Sequence, residues 1–427
     1  MSEPTFDALV IGGGPGGSAA ATYLARAGQR VLLLEKEVFP RFHIGESLLP
    51  YNRPLFEEMG VWPALAAAGF PRKFGAQFHL GNGALTTRFL FREGRFTRQP
   101  EAIQVERATF DHLLLKHARS SGADVREGWT VRHFTAQPDR VSVAASGPDG
   151  IARTLTAKFL VDASGRGNLT GNQEGLREVH PRLKKLAVFG HFAGVRLDAD
   201  ERGGDTVITR LENKWFWLIP VSATKTSVGL VIDKDEFAQA GGTPTEVFAR
   251  WLAACPAMQA RMAEAQLVGD LQTTSDFSYR NRRFVGPRLL RVGDAAGFMD
   301  PIFSAGVYLA MWSGRLASRA IIESLASGDD GARRLLAYER RVRRGMSFYW
   351  QMVERFYTTP FMELFMNPKD NLSLPAAVNA ILAGELEGNW HLRWRLWAFF
   401  ALIKLQARWP LVPRINFNAP ATSTPPG

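Results

Sequence analysis

The segment "FDALVIGGGPGGSAAATYLARAGQRVLLLEKE" near the N-terminus constrains the fold more than any other feature of the chain. It predicts a buried strand over Ala8–Ile11, a glycine turn, a helix from Ser18 to Arg26 and a second strand over Val31–Leu34. This order predicts a Rossmann-like α/β domain, in which a helix crosses between two parallel strands of one sheet.

The glycine turn predicts a dinucleotide site. Gly12, Gly14 and Gly17 fill the pattern GxGxxG. Such glycines form the turn, let the backbone approach a pyrophosphate and pack the helix on the strand. The N-terminus of the helix then faces the phosphates with its partial positive charge. Glu35 ends the second strand, where a carboxylate accepts hydrogen bonds from a ribose.

Two later segments favour FAD over NAD. "FLVDASGRG" is an apolar strand ending in Asp162, and "RLLRVGDAAGFMDP" is another strand that ends in Gly293 and Asp294, before the small residues of a helix start. We expect Asp294 to bind the ribityl chain. These returns to one sheet resemble the flavoprotein monooxygenase superfamily. In "QVERATFDHLLLKHA" the resemblance places Arg107 at the cofactor, the alternative being an ordinary salt bridge at a helix start.

Three further motifs resemble those of the flavin-dependent halogenases, over most of the chain up to about residue 380. They are "FPRFHIGESLLP"; "WFWLIP", which fills WxWxIP with Trp215, Trp217, Ile219 and Pro220; and "FMDPIFSAG", which fills FxxPxxSxG with Phe298, Pro301, Ser304 and Gly306. Their occurrence in order on a flavin-binding scaffold makes the resemblance specific.

The resemblance implies a reaction in which reduced FAD (FADH2) and O2 oxidise chloride or bromide to hypohalous acid. Lys73, in "GFPRKFGAQF", matches the active-site lysine of the family by its position. It is expected to hydrogen-bond the oxidant, or to be halogenated by it, and to deliver an electrophilic halogen. Desolvation would assist by lowering its pKa. The alternative is a surface lysine beside Arg72.

The resemblance also implies roles for other residues in these motifs. It places Arg41, His43 and Ile44 around the flavin, and Pro301, Ser304, Ala305 and Gly306 at a turn whose backbone N–H groups bind halide. Ser47 is a candidate N-cap of a helix. Trp215 and Trp217, two residues apart, point to one face of a strand. In the family such a bulky pair is thought to keep organic substrate away from the flavin; the alternative is aromatic core.

One departure from the family pattern concerns the substrate. Tryptophan halogenases carry Glu directly before the Ser of FxxPxxSxG, whereas this chain has Phe303. Free tryptophan is therefore not expected, and an electron-rich phenol or pyrrole is favoured. The base that would help to deprotonate such a substrate is not identified, and His79 and Glu101 are unassigned candidates. The net charge of +11 suits an acidic acyl or peptidyl carrier protein that presents a tethered substrate.

The hydrophobic pattern divides the chain into regions. We predict a discontinuous FAD-binding domain over residues 1–75, 100–180 and 280–330, a substrate-side β-sheet domain over 76–99 and 181–279, a helical region over 331–415 and a disordered tail over 416–427. The tryptophan-rich segment "NWHLRWRLWAFFALIKLQARWP" is too short in apolar residues to span a membrane. It is predicted to pack over the substrate channel, the alternative being a helix lying at a membrane interface.

Composition limits the remaining classes. One cysteine excludes a disulfide framework or a Cys-rich metal site, and no metal is expected. The absence of a signal-peptide pattern and of a nucleic-acid recognition motif predicts a cytoplasmic protein that binds no nucleic acid. Without a second nicotinamide fingerprint, a separate flavin reductase is expected. Two alternatives stay open: a flavin monooxygenase or reductase, and a non-catalytic flavoprotein partner.

Overall fold

A computed structural model describes residues 6–369, 372–388 and 390–417. The strands are β1 (Phe6–Ile11), β2 (Val31–Glu35), β3 (Arg72–Lys73), β4 (Gly75–Leu80), β5 (Thr86–Leu90), β6 (Ala102–Ile103), β7 (Asp124–Glu127), β8 (Thr130–Ala136), β9 (Val141–Ser146), β10 (Ala152–Asp162), β11 (Arg177–Ala193), β12 (Thr206–Arg210), β13 (Trp215–Pro220), β14 (Thr226–Asp233), β15 (Gln266–Asn281), β16 (Val285–Gly286), β17 (Leu289–Arg291) and β18 (Gly297–Phe298).

The helices are α1 (Pro15–Arg26), α2 (Asn52–Met59), α3 (Trp62–Ala67), α4 (Arg107–Ser120), α5 (Leu169–Gln173), α6 (Lys234–Ala240), α7 (Pro244–Ala253), α8 (Pro256–Met262), α9 (Gly306–Ser327), α10 (Ala332–Phe356), α11 (Thr359–Met366), α12 (Leu374–Ala383) and α13 (Trp390–Arg408). Short 3₁₀ turns lie at Phe91–Glu93, Gly165–Gly167, Asp200–Gly204, Gly293–Ala295 and Pro301–Phe303.

The first sheet has the order β16-β17-β10-β1-β2-β7, and the strands from β17 to β7 are parallel. Strands β1 and β2 are apolar almost throughout because both faces are covered, as in other parallel sheets. Strands β8 and β9 extend this sheet from β10 as an antiparallel meander. The α/β class and the Rossmann-like core predicted from the sequence are confirmed.

The second sheet has the order β18-β15-β11-β14-β13-β12-β4-β5 and is antiparallel except where β12 lies beside β4. Its strands come from the segment after Lys73, from β11 to β15 and from the short strand β18. The side chains of β13 alternate between two cores: Trp215 and Trp217 face the main core, whereas Phe216 and Leu218 face a smaller one. The predicted domain boundaries themselves stay a prediction.

Two local predictions in the first third of the chain differ from the structure. Helix α1 begins at Pro15 rather than Ser18. Proline suits the first helical turn, because its fixed φ is helical and no N–H is needed there. Ser47 is not a helix N-cap: it lies in an extended segment bridged to Gln104, and α2 starts only at Asn52.

Helices α10 to α13 follow the flavin-binding half of the chain. In α10 the apolar side of "YERRVRRGMSFYWQMVERFYT" is buried and Arg340, Arg341 and Arg344 are exposed, so this basic run is a solvated helix face. Phe417 packs, partly buried, against the core, and the predicted tail from residue 418 lies outside the described residues. Within the described ranges, no helix combines the length and the apolar character needed to cross a membrane.

Candidate active site

The glycine turn lies between the carboxyl end of β1 and the start of α1. Gly12 has φ of +97°, and a Cβ added to Gly17 would lie 1.8 Å from the carbonyl oxygen of Gly12. The turn therefore tolerates no side chain at Gly17. Gly14 is the N-cap residue of α1, and the first turn of that helix carries no acidic side chain. The open N-terminus suits an anionic phosphate group.

Glu35 lies at the end of the neighbouring strand and holds this turn. Its carboxylate accepts hydrogen bonds from the backbone N–H of Gly13 at 2.6 Å and of Glu37 at 2.9 Å. The side chain is buried. Glu35 thus lies beside the glycine turn, at the strand end where a ribose is expected.

Arginines converge on the same edge of the sheet. Arg41 pairs with Asp111 at 3.0 Å, and its guanidinium is the group nearest to a Cβ built on Gly14. Arg107 makes two 2.8 Å hydrogen bonds to Asp111 and donates at 2.7 Å to the carbonyl of Ile44. Burial alone would raise the pKa of Asp111, but the charges of the two arginines hold it below its usual value.

The predicted roles of Arg107 and His43 take a specific form here. Arg107 makes the salt bridge of the alternative interpretation, and its remaining nitrogen fixes the carbonyls of Ile44 and Gly45. Burial and the charge of Arg107 lower the pKa of His43 to about 3, so its imidazole is neutral. Its Nδ1 lies 2.7 Å from the Ile44 carbonyl oxygen. Hydrogen bonds from Arg107 of α4 thus hold the segment around Ile44 and Gly45 in place.

Asp294 lies on the 3₁₀ turn after β17, in contact with the turn that contains Arg166. Burial raises the pKa of its carboxyl to about 6, against the opposing charges of Arg166 and Arg107. In the described part of the chain, no donor hydrogen-bonds this carboxylate. A Cβ added to Gly165 would meet nothing within 4 Å. A half-buried carboxylate without a partner, beside open space and a glycine turn, fits a polyhydroxylated dinucleotide such as FAD.

Lys73 lies on the short strand β3, away from the glycine turn in sequence. Its side chain is 2% exposed, so the surface-lysine alternative is excluded. The Nζ donates to Ser47 Oγ at 2.9 Å and to the Leu48 carbonyl at 3.1 Å, and it lies 5.4 Å from the centre of the Phe91 ring. The "GESLLP" segment therefore positions the amine directly.

The amine has the electrostatic character expected of a reactive lysine. Burial lowers the pKa of Lys73 to about 7, and the nearby carboxylate of Asp205 opposes part of that shift. Asp205 is itself buried and is bound by Arg88 at 2.7 Å. Neutral Lys73 is therefore far more populated near pH 7 than the neutral form of an ordinary lysine, which is almost fully protonated there.

The two tryptophans of WxWxIP lie side by side. Their ring centres are 5.9 Å apart, and the Trp217 indole occupies the space that a side chain on Gly229 would fill. Trp217 donates at 3.1 Å to Ser227 Oγ. Ile219 and Pro220 complete β13 and are buried. The pair forms a rigid wall facing the main core.

Hydrogen bonds join this wall to the FxxPxxSxG segment. Trp215 Nε1 donates at 2.8 Å to Tyr357 Oη, and Tyr357 Oη donates at 2.6 Å to Asp300. Asp300 also accepts from the backbone N–H of Ile302, at the 3₁₀ turn over Pro301–Phe303. Tyr357 and Asp300 are site residues that sequence reasoning missed. Asp300 lies inside a recognised motif, whereas no local signal marks Tyr357.

The turn predicted to bind halide leads into α9. Ser304 has φ of +55°, Ala305 is the N-cap residue and Gly306 is the first residue of the helix. Gly306 and Asp294 line one small cavity, together with Gly293, Gly297, Met299 and Leu309. The predicted halide turn and the predicted ribityl-binding carboxylate are therefore neighbours, whereas Lys73 does not line this cavity.

Comparison with known proteins places this geometry in a family. Residues 5–355 match the family model described as FAD binding domain. A 1H-pyrrole-2-carbonyl-[peptidyl-carrier protein] chlorinase from Pseudomonas fluorescens is 33% identical over 381 residues, 84% of this chain and 84% of that protein. This chain belongs to the flavin-dependent halogenases. The halogenase therefore uses FAD, and it is an oxidoreductase.

Two further relatives show the breadth of the likeness. A tryptophan 2-halogenase from Chondromyces crocatus is 34% identical over 351 residues, 81% of this chain and 66% of that protein. The solved structure of the flavin-dependent brominase Bmp2 aligns with a TM-score of 0.83 at 29% identity. The alignment covers 94% of the present chain and 99% of the Bmp2 chain. The names of the relatives thus include proteins that act on tryptophan as well as on tethered pyrrole.

The two unassigned candidates for a base do not contact Lys73. His79 lies on the face of β4 opposite Phe78, and burial and the charge of Arg261 lower its pKa to about 4. Glu101 binds Arg72 at 2.9 Å on the surface. Neither residue faces the main core that contains the tryptophan pair.

Another buried acid faces that core instead. Glu46 is 1% exposed, and its Oε1 lies 2.6 Å from His191 Nε2. Its Oε2 has no hydrogen-bond partner among the residues that the structure describes. His191 is on the same side of β11 as Phe189, and the ring centres of Phe189 and Trp217 are 5.9 Å apart. Glu46 belongs to the "GESLLP" motif, whereas its partner His191 lies on β11, 145 residues further along the chain.

The buried amine makes stability depend on pH. Because the pKa of Lys73 falls from 10.5 to about 7 on folding, the unfolded chain binds more protons between these values. The resulting penalty grows as pH falls from 10.5 to about 7 and is constant below. We expect Lys73→Met to raise the free energy of unfolding by a few kcal/mol at about pH 6 and by less at about pH 9. Denaturant titrations at both pH values check this, and a pH-independent difference would contradict it.

Proposed function

We propose that this halogenase delivers an electrophilic halogen through Lys73 to an electron-rich aromatic ring, a phenol or a pyrrole. The observation that carries the proposal is the buried, partly neutral amine of Lys73, held by Ser47 and Leu48. When bound, reduced FAD would give two electrons to O2 and so activate it, and the activated O2 would oxidise halide to hypohalous acid. The residues that would hold it are Gly12, Gly14, Gly17, Glu35, Arg41, His43, Ile44, Arg107 and Asp294.

The neutral amine can carry the halogen covalently. A nitrogen–halogen bond forms as the oxygen–halogen bond of hypohalous acid breaks, and the displaced hydroxide leaves as water with one amine proton. An aromatic carbon then takes the halogen from nitrogen. The proton lost by the ring restores the amine, so atoms and charge balance. Alternatively, the protonated amine polarises hypohalous acid by hydrogen bonding and stays unmodified.

The tryptophan wall separates oxidant formation from substrate. Trp215 and Trp217 are fixed by Tyr357, Ser227 and Gly229, so they cannot move aside without breaking two hydrogen bonds. Only a small oxidant then travels past them to Lys73. The backbone N–H groups around Ser304, Ala305 and Gly306 are proposed to bind the halide.

A carrier-tethered substrate is part of the proposal. The pyrrole chlorinase of Pseudomonas fluorescens is named for a substrate attached to a peptidyl carrier protein. The net charge of +11 would steer an acidic carrier towards this chain. We further propose that a separate reductase in the cytoplasm supplies reduced FAD.

The proposal is tested by turnover coupled to a flavin reductase, with FAD, NADH, O2 and bromide. Phenols and pyrroles are offered free and as thioesters on an acyl or peptidyl carrier protein, and products are read by the bromine isotope pattern. A bromine doublet on a ring supports the proposal. Hydroxylated product without bromine would replace it with a monooxygenase. Oxidation of NADH with neither a brominated nor a hydroxylated product from the free and the carrier-bound substrates would also overturn it.

The pH dependence separates the two roles of the amine. If neutral Lys73 carries the halogen, the single-turnover rate of ring halogenation rises with pH through about 7 and then levels off. Asp205→Asn removes the carboxylate that favours the ammonium form, while Arg88 keeps its ion pair with Glu201 at 3.2 Å, so the midpoint should move to lower pH. Asp200→Asn, an exposed carboxylate nearby, is the matched control and should leave the midpoint unchanged. A rate that falls through pH 7 would favour the hydrogen-bonding role.

A further inference from the structure

The last helix, α13, is apolar on two opposite faces. Leu392, Leu396 and Phe399 are among the residues on the face that packs into the core, next to α11 and α12. The opposite face carries Trp390 and Trp397, which are 64% and 51% exposed. Packing over the preceding helices therefore accounts for only one side of this segment.

The outer face is a continuous ridge of aromatic and cationic side chains. We define it as the Trp–cation face: Trp390, Trp397, Lys404, Leu405, Arg408 and Trp409. At 100° per residue, the members within the helix fall within about one third of its circumference. Trp409 and Leu405 are 61% and 41% exposed. The ridge runs along the helix for about 28 Å.

The charge on this helix has one sign. Trp390–Arg408 contains three arginines and one lysine and has neither Asp nor Glu. Across residues 6–369, 372–388 and 390–417, no carboxylate lies within ion-pair distance of Lys404 or Arg408. The described part of the chain exposes no other tryptophan to this degree. Exposed apolar side chains of this size in one place mark an interaction surface.

We propose that the Trp–cation face binds the surface of an anionic lipid bilayer, with α13 lying parallel to the membrane. Tryptophan prefers the boundary between headgroups and acyl chains, because its ring is apolar and its indole N–H is polar. Lysine and arginine on the same face meet anionic headgroups. A flat bilayer accepts a convex ridge, whereas a protein partner needs a groove that matches it. This inference does not depend on the reaction that the enzyme catalyses.

The test measures co-sedimentation of the full-length, FAD-loaded protein with vesicles. Vesicles of phosphatidylcholine alone are compared with vesicles that also contain phosphatidylglycerol, at low and high salt. We expect binding to the anionic vesicles, weakened by salt. The triple variant Trp390→Ser, Trp397→Ser, Trp409→Ser should bind at least about tenfold more weakly. The double variant Lys404→Gln, Arg408→Gln should lose roughly thirtyfold on anionic vesicles.

A matched control carries substitutions at exposed apolar positions elsewhere: Ile151→Ser, Val268→Ser and Leu336→Ser, which are 58%, 48% and 54% exposed in the wild type. It should bind like wild type. Wild type that stays in the supernatant, or a triple variant that sediments like wild type, would overturn the proposal. The proposal would also fail if the three substitutions left vesicle binding unchanged and instead abolished self-association or the binding of an acidic carrier protein.

Discussion

Replacing Lys73 with methionine is expected to abolish ring halogenation while reduced FAD is still oxidised by O2. Methionine has nearly the length of lysine, so the buried site stays filled and the fold is kept. The variant loses the only nitrogen that the proposal uses to carry or polarise the halogen. We expect the rate of halogenated product to fall by about 10³-fold or more, as for loss of an essential catalytic group.

The measurement follows two outputs of one reaction: halogenated aromatic product by mass spectrometry and flavin oxidation by absorbance. Lys214→Met is the matched control, because Lys214 is another buried lysine, paired with Glu236 on a different element. It should keep both outputs. A Lys73 variant that halogenates within tenfold of wild type would remove this residue from the mechanism, whereas loss of flavin oxidation would point to damage at the cofactor site.

Sequence predicted the parts of the site that depend on local pattern. The glycine turn, Glu35 and the two parallel strands arise from one contiguous segment, so spacing alone was enough to place them. Lys73 was found by its position in a resemblance to a family, but its burial was not visible in the sequence. The flanking "PRKF" reads as a polar surface turn, and it is the strand pairing of β3 with β6 that removes the lysine from water.

Ser47 shows why the remaining site could not be predicted. A serine before an apolar run is typical of a helix N-cap. Its hydroxyl instead lies 2.7 Å from Thr206 Oγ1 and accepts from Lys73 Nζ. Thr206 is 159 residues away in sequence, and its own hydroxyl accepts a hydrogen bond from Gln104 at 3.0 Å. A side chain whose partners come from two distant segments gives no periodic or spacing signal.

The same reason applies to the polar residues behind the tryptophan wall. Trp215, Tyr357 and Asp300 come from a strand, the end of a helix and a 3₁₀ turn. Burial raises the pKa of Asp300, and burial together with that carboxylate raises the pKa of Tyr357 well above its usual value. The tyrosine therefore stays protonated and donates to Asp300. The tertiary fold, rather than any one motif, joins WxWxIP to FxxPxxSxG.

The second large effect is expected at the cofactor turn: Gly17→Val should leave the halogenase without bound FAD. The new Cβ would lie 1.8 Å from the Gly12 carbonyl oxygen, and a backbone atom cannot withdraw as a flexible side chain can. Helix α1 must then move from β1, which displaces the N–H groups that face the phosphates. We expect FAD affinity to fall at least about a hundredfold. The measurement is the flavin absorbance retained after gel filtration, together with an FAD titration of the apoprotein.

Gly28→Ala, at the far end of the same helix, separates loss of FAD from loss of stability. Its φ of +76° makes alanine unfavourable by about 1 kcal/mol, yet an added Cβ would meet nothing within 4 Å. That variant should be slightly less stable and still bind FAD fully. Gly17→Ala offers a milder form of the clash if valine prevents folding, since its single methyl group meets the same oxygen. A folded Gly17 variant with full FAD content would show that this turn does not hold the pyrophosphate. The reason is that no arrangement of α1 against β1 accommodates both the new side chain and the backbone that faces the phosphates.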